Sequence, residues 1–511
     1  MKSITPLRWQ SQAVDKAHEL IRSGTREMFI SAGTSAGKTL AGLFIFKSIK
    51  ADRLLVITPK TGIRGSWAKD AELLGLSYKV IGARKDLEMP FDVLIGNVQG
   101  VKGKLASLIE FCKRHKVMLA VDEAQHYGED QYWRELVQAI AKHAHFCIGL
   151  SATPMRSDQR RVLFMPYSAI GARTSKATPH IDYPYHEAVA DGLAAPVVCR
   201  FVGGVIEREH ANGRRDIYDF SDGDYAQLTG VPNDSKMSQR LRAATVDSID
   251  FQMAMVERAR STLMAFREDG RPWAGLIVCK TIDQAHEVAA EIAKRWSDPL
   301  RVVVGEVDTQ DAVTEFEKDD HLVWVVSITK VSEGVSINRL RVGVHLAPVT
   351  APGFLDQERG RLARLFAGVS QIEKTSALFL PADPRLIAWA TNRARLMLKA
   401  APWLSGGATA FDSYLETVAN VAGLSSVIVE RNKGEQSIDA LRVDLKGKPK
   451  VLDAGRFTLR AKAWMAGAVL DEEFIDEAAF AAIRDQIGKV VGQMVSAKAS
   501  REMVKLLARA F

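Results

Sequence analysis

The sequence predicts an α/β protein with two tandem lobes, each built on a parallel sheet, followed by a mainly helical C-terminal extension. Short β-branched runs alternate with helix-length segments over two stretches of the chain, a pattern typical of buried parallel sheets. A turn rich in small residues follows the first run, and the alternation stops near residue 400. The predicted boundaries are 1–169 for the first lobe, 170–193 for a linker, 194–400 for the second lobe with an insert at about 205–267, and 401–511 for a partly basic extension.

The composition limits the classes of protein to consider. The 511 residues are 47% hydrophobic and 25% charged, which provides enough apolar material for sizeable cores. The formal net charge of +8 is compatible with a polyanionic partner, although ordinary basic enzymes have similar values. The four cysteines lack CxxC or Cys/His spacing, so neither a disulfide framework nor a zinc site is expected. With no signal peptide and no membrane-spanning run, we expect a cytoplasmic protein of a bacterial or phage-infected cell.

In the first lobe, the pattern places five strands and one helix. The strand runs are 28–31, 54–58, 93–95, 117–121 and 146–150, and an apolar helix pattern covers 40–49. Parallel strands need crossover connections, and the segments between these runs are long enough to supply them. We therefore expect the carboxyl ends of all five strands at one edge of a single sheet.

The second lobe repeats this rhythm. The predicted elements are strands at 196–202, 274–279, 301–304, 322–327, 342–346 and 376–380 and a helix at 283–295. The insert begins with the polar, charged stretch 207–236 and continues with a helical pattern through residue 267. Within it, Asn212-Gly213 is a strong two-residue hairpin signal, which could mark a strand-separating wedge or a mere surface ornament. In the extension, 441–464 carries seven basic against two acidic residues, as a nucleic-acid grip or a solvated linker would, and 471–511 has the pattern of two amphipathic helices.

The turn after the first strand has the character of a phosphate-binding loop. The segment SAGTSAGKT, residues 31–39, lies between a strand and a helix, where backbone N–H groups can surround phosphates at a helix N-terminus. Lys38 is placed to reach the β- and γ-phosphates of ATP, and the hydroxyl of Thr39 to hold Mg²⁺. Ala32 replaces the usual first glycine, and a simple helix-capping turn is the alternative. The predicted ATP-binding residues of this turn are Gly33, Thr34, Ser35, Ala36, Gly37, Lys38 and Thr39.

A second candidate site is the acidic end of the strand at 117–121. Asp122 and Glu123 follow an apolar run, at the sheet edge where open α/β folds bind ligands. Asp122 suits Mg²⁺ coordination, and Glu123 could act as the general base towards the attacking water. A solvated acidic pair that opens a loop is the alternative, which its position after the phosphate loop disfavours.

Over residues 7–380 the sequence resembles the superfamily 2 helicases of the DExH-like branch. The segment LRWQ ends at Gln10, which the resemblance assigns to adenine recognition. The segment DEAQH ends at His126, which it assigns to coupling between ATP and the partner lobe. The segment SATP places Ser151 and Thr153 between hydrolysis and the nucleic-acid cleft. The resemblance also implies two RecA-like lobes that share one ATP.

The second lobe carries the other half of this resemblance. In QERGRLAR, residues 357–364, Gln357 is a coupling residue, and Arg361 and Arg364 would face the γ-phosphate as arginine fingers. Glu333 and Gly334 of the segment VSEGV are expected to line the ATP interface.

Two departures from the family pattern leave the details of coupling open. Ser336 stands where many members carry an acid, and Ala363 replaces a usual glycine. Each motif is weak alone, but their order along the chain is that of the family.

The resemblance also suggests where nucleic acid binds. Hydroxyl, amide and lysine groups at strand ends suit contacts with the phosphate backbone rather than with the bases. Capped strand and helix ends are the alternative at each position. The candidates are Thr58, Lys60, Gln99, Lys280, Thr281, Thr329 and Lys330.

The sequence therefore predicts an ATP- and Mg²⁺-dependent nucleic-acid helicase or translocase. DNA is favoured over RNA because the acidic motif ends in Gln-His rather than Ala-Asp and because no auxiliary RNA-binding module is visible. The alternatives are an RNA helicase, the motor subunit of a restriction or defence complex, and a P-loop ATPase that binds no nucleic acid.

Overall fold

The computed structural model describes residues 4–34, 36–59, 64–81, 90–128, 131–153, 161–169, 175–210, 215–220, 234–305, 309–329, 337–371, 373–401, 426–427 and 439–444. Contacts divide the chain into two units. The first comprises Met1–Ala194 with Gly353–Gly360, and the second comprises Ala195–Pro352 with Arg361–Phe511.

The first unit contains a seven-stranded sheet in which every pairing is parallel. Its strands follow the order β3-β4-β2-β5-β6-β1-β9. Their bounds are β1 Glu27–Ala32, β2 Arg53–Thr58, β3 Tyr78–Val80, β4 Val93–Asn97, β5 Val117–Val121, β6 Phe146–Ser151 and β9 Ile181–Tyr183, with the small antiparallel pair β7 Tyr167–Ala169 and β8 Ser175–Ala177 beside them.

Helices connect these strands. They are α1 Arg8–Arg22, α2 Lys38–Ser48, α3 Arg64–Leu73, α4 Val98–Lys102, α5 Leu105–Arg114, α6 Gln131–Ala141 and α7 Tyr185–Ala190, and a 3₁₀ turn covers Ala124–Gly128. Strand β5 is buried at every position, as expected for a parallel strand covered on both faces. Helix α5 buries Leu108, Phe111 and Cys112, whose spacing puts one face on the core.

The strand order determines what lies at the carboxyl edge of this sheet. Strand β6 lies between β1 and β5, with Ser31 opposite Ser151 and Val121 opposite Gly149. Because parallel strands end at the same edge, the turn after β1 and the acidic residues after β5 are separated only by the end of β6.

The second unit contains a nine-stranded sheet whose main path is β11-β10-β16-β15-β12-β14-β13, with β17 and β18 paired to β10. The bounds are β10 Val197–His210, β11 Arg215–Asp219, β12 Ala274–Cys279, β13 Leu300–Val303, β14 Trp324–Ile328, β15 Leu340–Leu346, β16 Ser376–Pro381, β17 Ser426–Val427 and β18 Asp439–Asp444. Along the sheet, the neighbouring strands in the order β10-β16-β15-β12-β14-β13 are all parallel. Strands β11 and β18 each pair with β10 in the antiparallel direction.

The helices of this unit are α8 Asp234–Arg242, α9 Ile249–Arg267, α10 Ile282–Trp296, α11 Thr309–Lys318 and α13 Pro384–Ala400, with a π-helical turn at Ala243–Asp247, while α12 Pro352–Leu362 has its residues Gly353–Gly360 in the first unit. Their caps follow the sequence closely. Thr281 accepts a hydrogen bond from the backbone N–H of Gln284 at the start of α10, and Asp383 accepts one from Arg385 at the start of α13.

These elements confirm the predicted fold class of two lobes built on parallel sheets. One predicted segment holds more regular structure than expected. The segment 170–193, predicted as a linker, contains β9 and α7, and β9 extends the first sheet because its backbone pairs with β1. The region 205–267, predicted as an insert with a helical pattern through residue 267, ends in α9, which packs on β15 and β16 and buries nine of its residues.

The two strands of the predicted hairpin are observed as the antiparallel pair β10 and β11. Val205 pairs with Asp219 and Glu209 pairs with Arg215, while the turn at Asn212-Gly213 lies outside the described residues. The helices predicted at 471–511 and most of the basic segment 441–464 also lie outside them. Within the described part of the chain, no helix combines the length and apolarity that crossing a membrane requires.

Candidate functional site

The turn between β1 and α2 has the backbone of an anion-binding loop. Gly37 forms the N-cap of α2 and adopts a left-handed conformation at φ +85°. A residue with a side chain would be strained in this conformation. Lys38 donates from Nζ to the carbonyl oxygens of Ala32 at 3.0 Å and Gly33 at 3.3 Å. The lysine is therefore held over the loop itself, at the position from which it could turn to a phosphate. Thr39 follows it in the first turn of α2 and is half-buried.

Gln10 is buried against this turn. Its Nε2 donates to the carbonyl of Gly37 at 3.0 Å, and its Oε1 accepts from the backbone N–H of Leu7 at 2.8 Å. A Cβ at position 37 would lie 2.8 Å from Gln10 Nε2, so the amide approaches as closely as a glycine permits. Gln10 thus links the start of α1 to the phosphate loop.

The acidic end of β5 is buried and sparsely neutralised. Asp122, only 6% exposed, accepts hydrogen bonds from the Trp67 indole N–H at Oδ2 (2.7 Å) and from the Glu123 backbone N–H at Oδ1 (2.9 Å). Burial, and secondly the charge of Glu123, raise the pKa of Asp122 to about 6, while the charge of Lys38 acts in the opposite direction.

Glu123 combines backbone strain with a held side chain. Its φ of +47° lies in the left-handed region, which costs a non-glycine residue on the order of 1 kcal/mol. Gln125 Nε2 donates to Glu123 Oε2 at 2.7 Å. The turn Ala124–Gly128 that contains Gln125 also contains His126. The carboxylate therefore has a fixed orientation at a strained position, which is a common arrangement at functional sites.

The donor set here fits Mg²⁺. Thr39 and Asp122 offer one hydroxyl and one carboxylate, and Mg²⁺ typically uses one or two such protein ligands together with water and substrate phosphates. Two neighbouring acids with their charge largely unbalanced also favour a cation. In the part of the chain that is described, no group of three or more His, Cys, Asp or Glu residues could form an all-protein metal cage.

The segment after β6 lies beside this edge. Ser151 is fully buried, and its Oγ accepts from the backbone N–H of Thr153 at 2.9 Å. Gln357 of α12 donates from Nε2 to Thr153 Oγ1 at 3.4 Å. Gly360 lies so near the phosphate loop that a Cβ there would be 2.4 Å from Thr34 Cβ. All five residues are grouped in the first unit, which includes Gly353–Gly360.

Arg361 and Arg364 belong to the second unit. Arg361 is 6% exposed. The end of α12 is held firmly, because the carbonyl of Leu362 accepts hydrogen bonds from Lys374 Nζ at 3.2 Å and from Ser376 Oγ at 2.9 Å. These contacts fix the backbone from which the two arginines project.

The candidate nucleic-acid contacts form two strand-end sets. In the first unit, Thr58 pairs with Asn97, which caps the short helix that contains the exposed Gln99. In the second unit, Cys279 pairs with Ile328, so Lys280 and Thr329 follow at the same edge.

The alternative reading of these positions is met in part. Thr281 caps α10, and the buried Thr58 Oγ1 donates to the carbonyl of Gly96 at 3.4 Å. Their roles towards nucleic acid stay predictions. The predicted residues Ser35, Lys60, Lys330, Glu333 and Gly334 lie outside the described residues.

Three contacts were not predicted from the sequence. Trp67 reaches Asp122 from α3, Gln125 holds Glu123, and Lys374 braces the end of α12. Gln125 stands inside the DEAQH segment and could have been singled out there. For Trp67 and Lys374 no local pattern gives a signal, because their partners are distant in sequence or are backbone carbonyls.

Comparison with known proteins gives one family match. Residues 3–156 match the family described as "Type III restriction enzyme, res subunit". An uncharacterized protein of Mycobacterium leprae is 24% identical over 405 residues, which cover 76% of this chain and 64% of that protein. The chain thus spans less than two thirds of this relative's length.

Solved structures with similar folds include a fragment of a putative HsdR subunit of a type I restriction enzyme from Vibrio vulnificus YJ016, at 16% identity and a TM-score of 0.48, covering 74% of this chain and 64% of the other. Another is the helicase Lhr of Mycobacterium smegmatis bound to ssDNA and AMP-PNP, at 16% identity and a TM-score of 0.46, covering 81% of this chain and 54% of the other. The match over residues 3–156 and the order of the motifs along the chain confirm that this chain resembles the superfamily 2 helicases.

Proposed function

We propose that this protein is an ATP-dependent, nucleic-acid-stimulated motor that translocates on or unwinds DNA. The observation that carries the proposal is the arrangement at one sheet edge in the first unit. The phosphate loop after β1 and the acidic pair after β5 are separated only by β6, as a nucleotide with its cation between them requires.

In the proposed cycle, the residues of the first unit bind and orient ATP. Lys38 exchanges the carbonyls of Ala32 and Gly33 for the β- and γ-phosphates of ATP. Thr39 and Asp122 would hold Mg²⁺, which when bound neutralises charge on the phosphates. Glu123 orients the attacking water and accepts its proton.

The second unit contributes positive charge. Arg361 and Arg364 would neutralise the charge that develops on the transferred phosphoryl group, as arginine fingers do. The bracing of Leu362 by Lys374 and Ser376 supports this role, because a finger must be held in place to act in the transition state.

Nucleic acid would bind the strand-end groups of each unit through its phosphates. Such binding is independent of sequence and weakens steeply with salt. The preference for DNA rests on the DEAQH sequence and on the lack of a recognisable RNA-binding module.

The test is the ATPase rate of the full-length protein with single-stranded DNA, duplex DNA, forked DNA, RNA and no nucleic acid. We expect DNA to stimulate turnover and the stimulation to fall with salt. Lys38→Ala should abolish it, and Glu123→Gln should bind ATP without turnover. Stimulation by RNA alone would overturn the choice of DNA, and turnover indifferent to every nucleic acid would overturn the motor itself.

A second candidate is the motor subunit of a restriction or defence assembly. The family match over residues 3–156 favours it, since that family is described by a restriction-enzyme subunit. Affinity purification of the protein from its native host, followed by mass spectrometry, tests it. Recovery of a nuclease or methyltransferase in a fixed ratio would support it, and recovery of the protein alone would count against it.

A further inference from the structure

The side chain of Trp67 is placed where it can control the carboxylate of Asp122. Trp67 lies on α3, is fully buried, and donates from Nε1 to Asp122 Oδ2 at 2.7 Å. A distance this short between a ring N–H and a carboxylate is typical of a strong, charge-assisted hydrogen bond.

The two donors to Asp122 fix its orientation without removing its charge. Both the indole N–H of Trp67 and the backbone N–H of Glu123 are neutral, and they bind different oxygens of the carboxylate. Rotation of the carboxylate would break both bonds. The group is therefore held in one orientation while its negative charge stays available to a cation.

The position of the indole ring is determined by its contact with α2, the helix that begins with Lys38 and Thr39. A Cβ at Gly42 would lie 2.8 Å from Trp67 Cη2 and 3.3 Å from Ile148 Cδ1, so the ring occupies the space that the missing side chain leaves. Trp67 therefore connects the helix that carries the phosphate-binding residues to the strand end that carries the acid.

We propose that Trp67 is a positioning residue, whose ring N–H holds Asp122 in the orientation that receives the divalent cation of the nucleotide. The inference rests on the proposed ATP-dependent function and adds to it a residue outside the predicted ATP-binding motifs. Partners that orient metal ligands typically change metal affinity or activity by about 10–100-fold when they are removed.

The matched control is Trp324 in the second unit. It too is fully buried, and it donates from Nε1 to Asp298 Oδ2 at 3.1 Å. Phenylalanine at either position keeps most of the ring and removes the N–H. Trp67→Phe and Trp324→Phe therefore remove the same kind of bond, one beside the candidate nucleotide site and one in a structural contact.

The experiment measures the affinity of the full-length protein for AMP-PNP by calorimetry over a range of Mg²⁺ concentrations, with melting curves recorded without nucleotide. For Trp67→Phe we expect the Mg²⁺ concentration at half-effect to rise about 10-fold or more, with unchanged affinity for Mg²⁺-free nucleotide. Trp324→Phe should match the wild type in both. An Asp122→Asn variant should make the further loss of the Trp67 N–H silent, because the two groups act as a pair.

The outcomes separate the inference from the function on which it rests. If wild-type protein gains no nucleotide affinity from Mg²⁺, the proposed function fails and the inference fails with it. If Mg²⁺ raises the nucleotide affinity of the wild-type protein but Trp67→Phe behaves like Trp324→Phe, then Trp67 has only a structural role. In that case the inference alone is overturned. Should Trp67→Phe not fold, Gly42→Ala decides, since its methyl group displaces the same ring. A raised Mg²⁺ requirement would support the inference, and an unchanged one would overturn it.

Discussion

Two buried carboxylates in this protein each accept a hydrogen bond from a tryptophan indole, but they differ in how their negative charge is balanced. Asp298 binds Trp324 and also accepts a bidentate pair of hydrogen bonds from Arg260, at 2.8 and 2.9 Å. Asp122 binds Trp67 and a backbone N–H, and its neighbour Glu123 is a second acid. A carboxylate paired with an arginine has its charge balanced within the protein and has a structural role. A carboxylate held only by neutral donors keeps its charge for a ligand.

Among the buried cations, Arg339 resembles Asp298, because its partners are groups of the protein itself. Arg339 is 2% exposed and donates to the carbonyls of Pro272, Phe316, Leu322 and Asp319, while its guanidinium lies over the Phe316 ring. This arginine connects chain segments far apart in sequence through both of its terminal nitrogens. Buried charge alone therefore does not identify a functional group, and the set of partners does.

The largest effect that follows concerns the two carboxylates. Asp122→Asn should lower ATP turnover by about 10³-fold or more, because the lost contribution to charge stabilisation is several kcal/mol. Its melting temperature should change little, because the neutralisation of one of two adjacent acids offsets the loss of one hydrogen bond, which the amide NH2 of asparagine cannot accept. Asp298→Asn should keep turnover and lose about 1.5–3 kcal/mol of stability with the bonds to Arg260.

ATPase assays and urea unfolding of both variants check this. Equal losses of turnover in the two variants would contradict the distinction between them.

Two arginines of the second unit provide the next contrast. Arg361→Ala should reduce kcat by on the order of 10³ and leave ATP affinity and stability nearly unchanged. Arg339→Ala should leave several buried carbonyls without a donor and lose more than about 3 kcal/mol of stability. Steady-state kinetics with thermal melting separates the two. A stable Arg339→Ala protein with slow turnover would show that partner sets do not discriminate function from architecture.

The sequence predicted the elements whose signal is local. Strands β5 and β12 were predicted with their observed bounds, since a continuous apolar run bounded by polar residues leaves few alternatives. The turn between β1 and α2 was predicted for a related reason, because the left-handed conformation at Gly37 and the helix after it depend on neighbouring residues. Predictions of this kind use only information within about ten residues of the position concerned.

What the sequence did not predict depends on partners far along the chain. Trp67 and Asp122 are 55 positions apart, and nothing in the α3 segment indicates a carboxylate partner. Strand β9 has three residues, too few for a pattern, and it forms because β1 offers its free edge. The helical pattern that ends at residue 267 was predicted, but the sequence placed helix α9 in an insert and did not predict that it packs on β15 and β16 of the second sheet.

The smallest effect tests whether a ring nitrogen bonded to the backbone implies an architectural role in the first unit as well. His180 precedes β9, and its ring Nδ1 accepts a hydrogen bond from the backbone N–H of Phe29 at 2.9 Å, while the backbone N–H of His180 donates to the Phe29 carbonyl at 3.0 Å. Burial, and to a lesser degree the charge of Lys16, lower the pKa of His180 below its ordinary value of 6.5. The unfolded chain therefore binds a proton more readily than the folded one, so this contribution is present above pH 6.5 and is lost as the pH falls below it.

We expect His180→Gln, whose amide oxygen can accept from Phe29, to flatten the fall in unfolding free energy between pH 7.5 and 5.5. The change should be no more than the net value of one hydrogen bond, about 1 kcal/mol, and solvent around the half-exposed ring reduces it further. Urea unfolding across this pH range measures it, with the exposed His143→Gln as control. ATP turnover at pH 7.5 should be unchanged, because a ring nitrogen occupied by a backbone N–H has no acceptor left for a ligand. A loss of turnover with an unaltered pH profile would instead give His180 a part in the chemistry and break the link between backbone-bonded side chains and architecture.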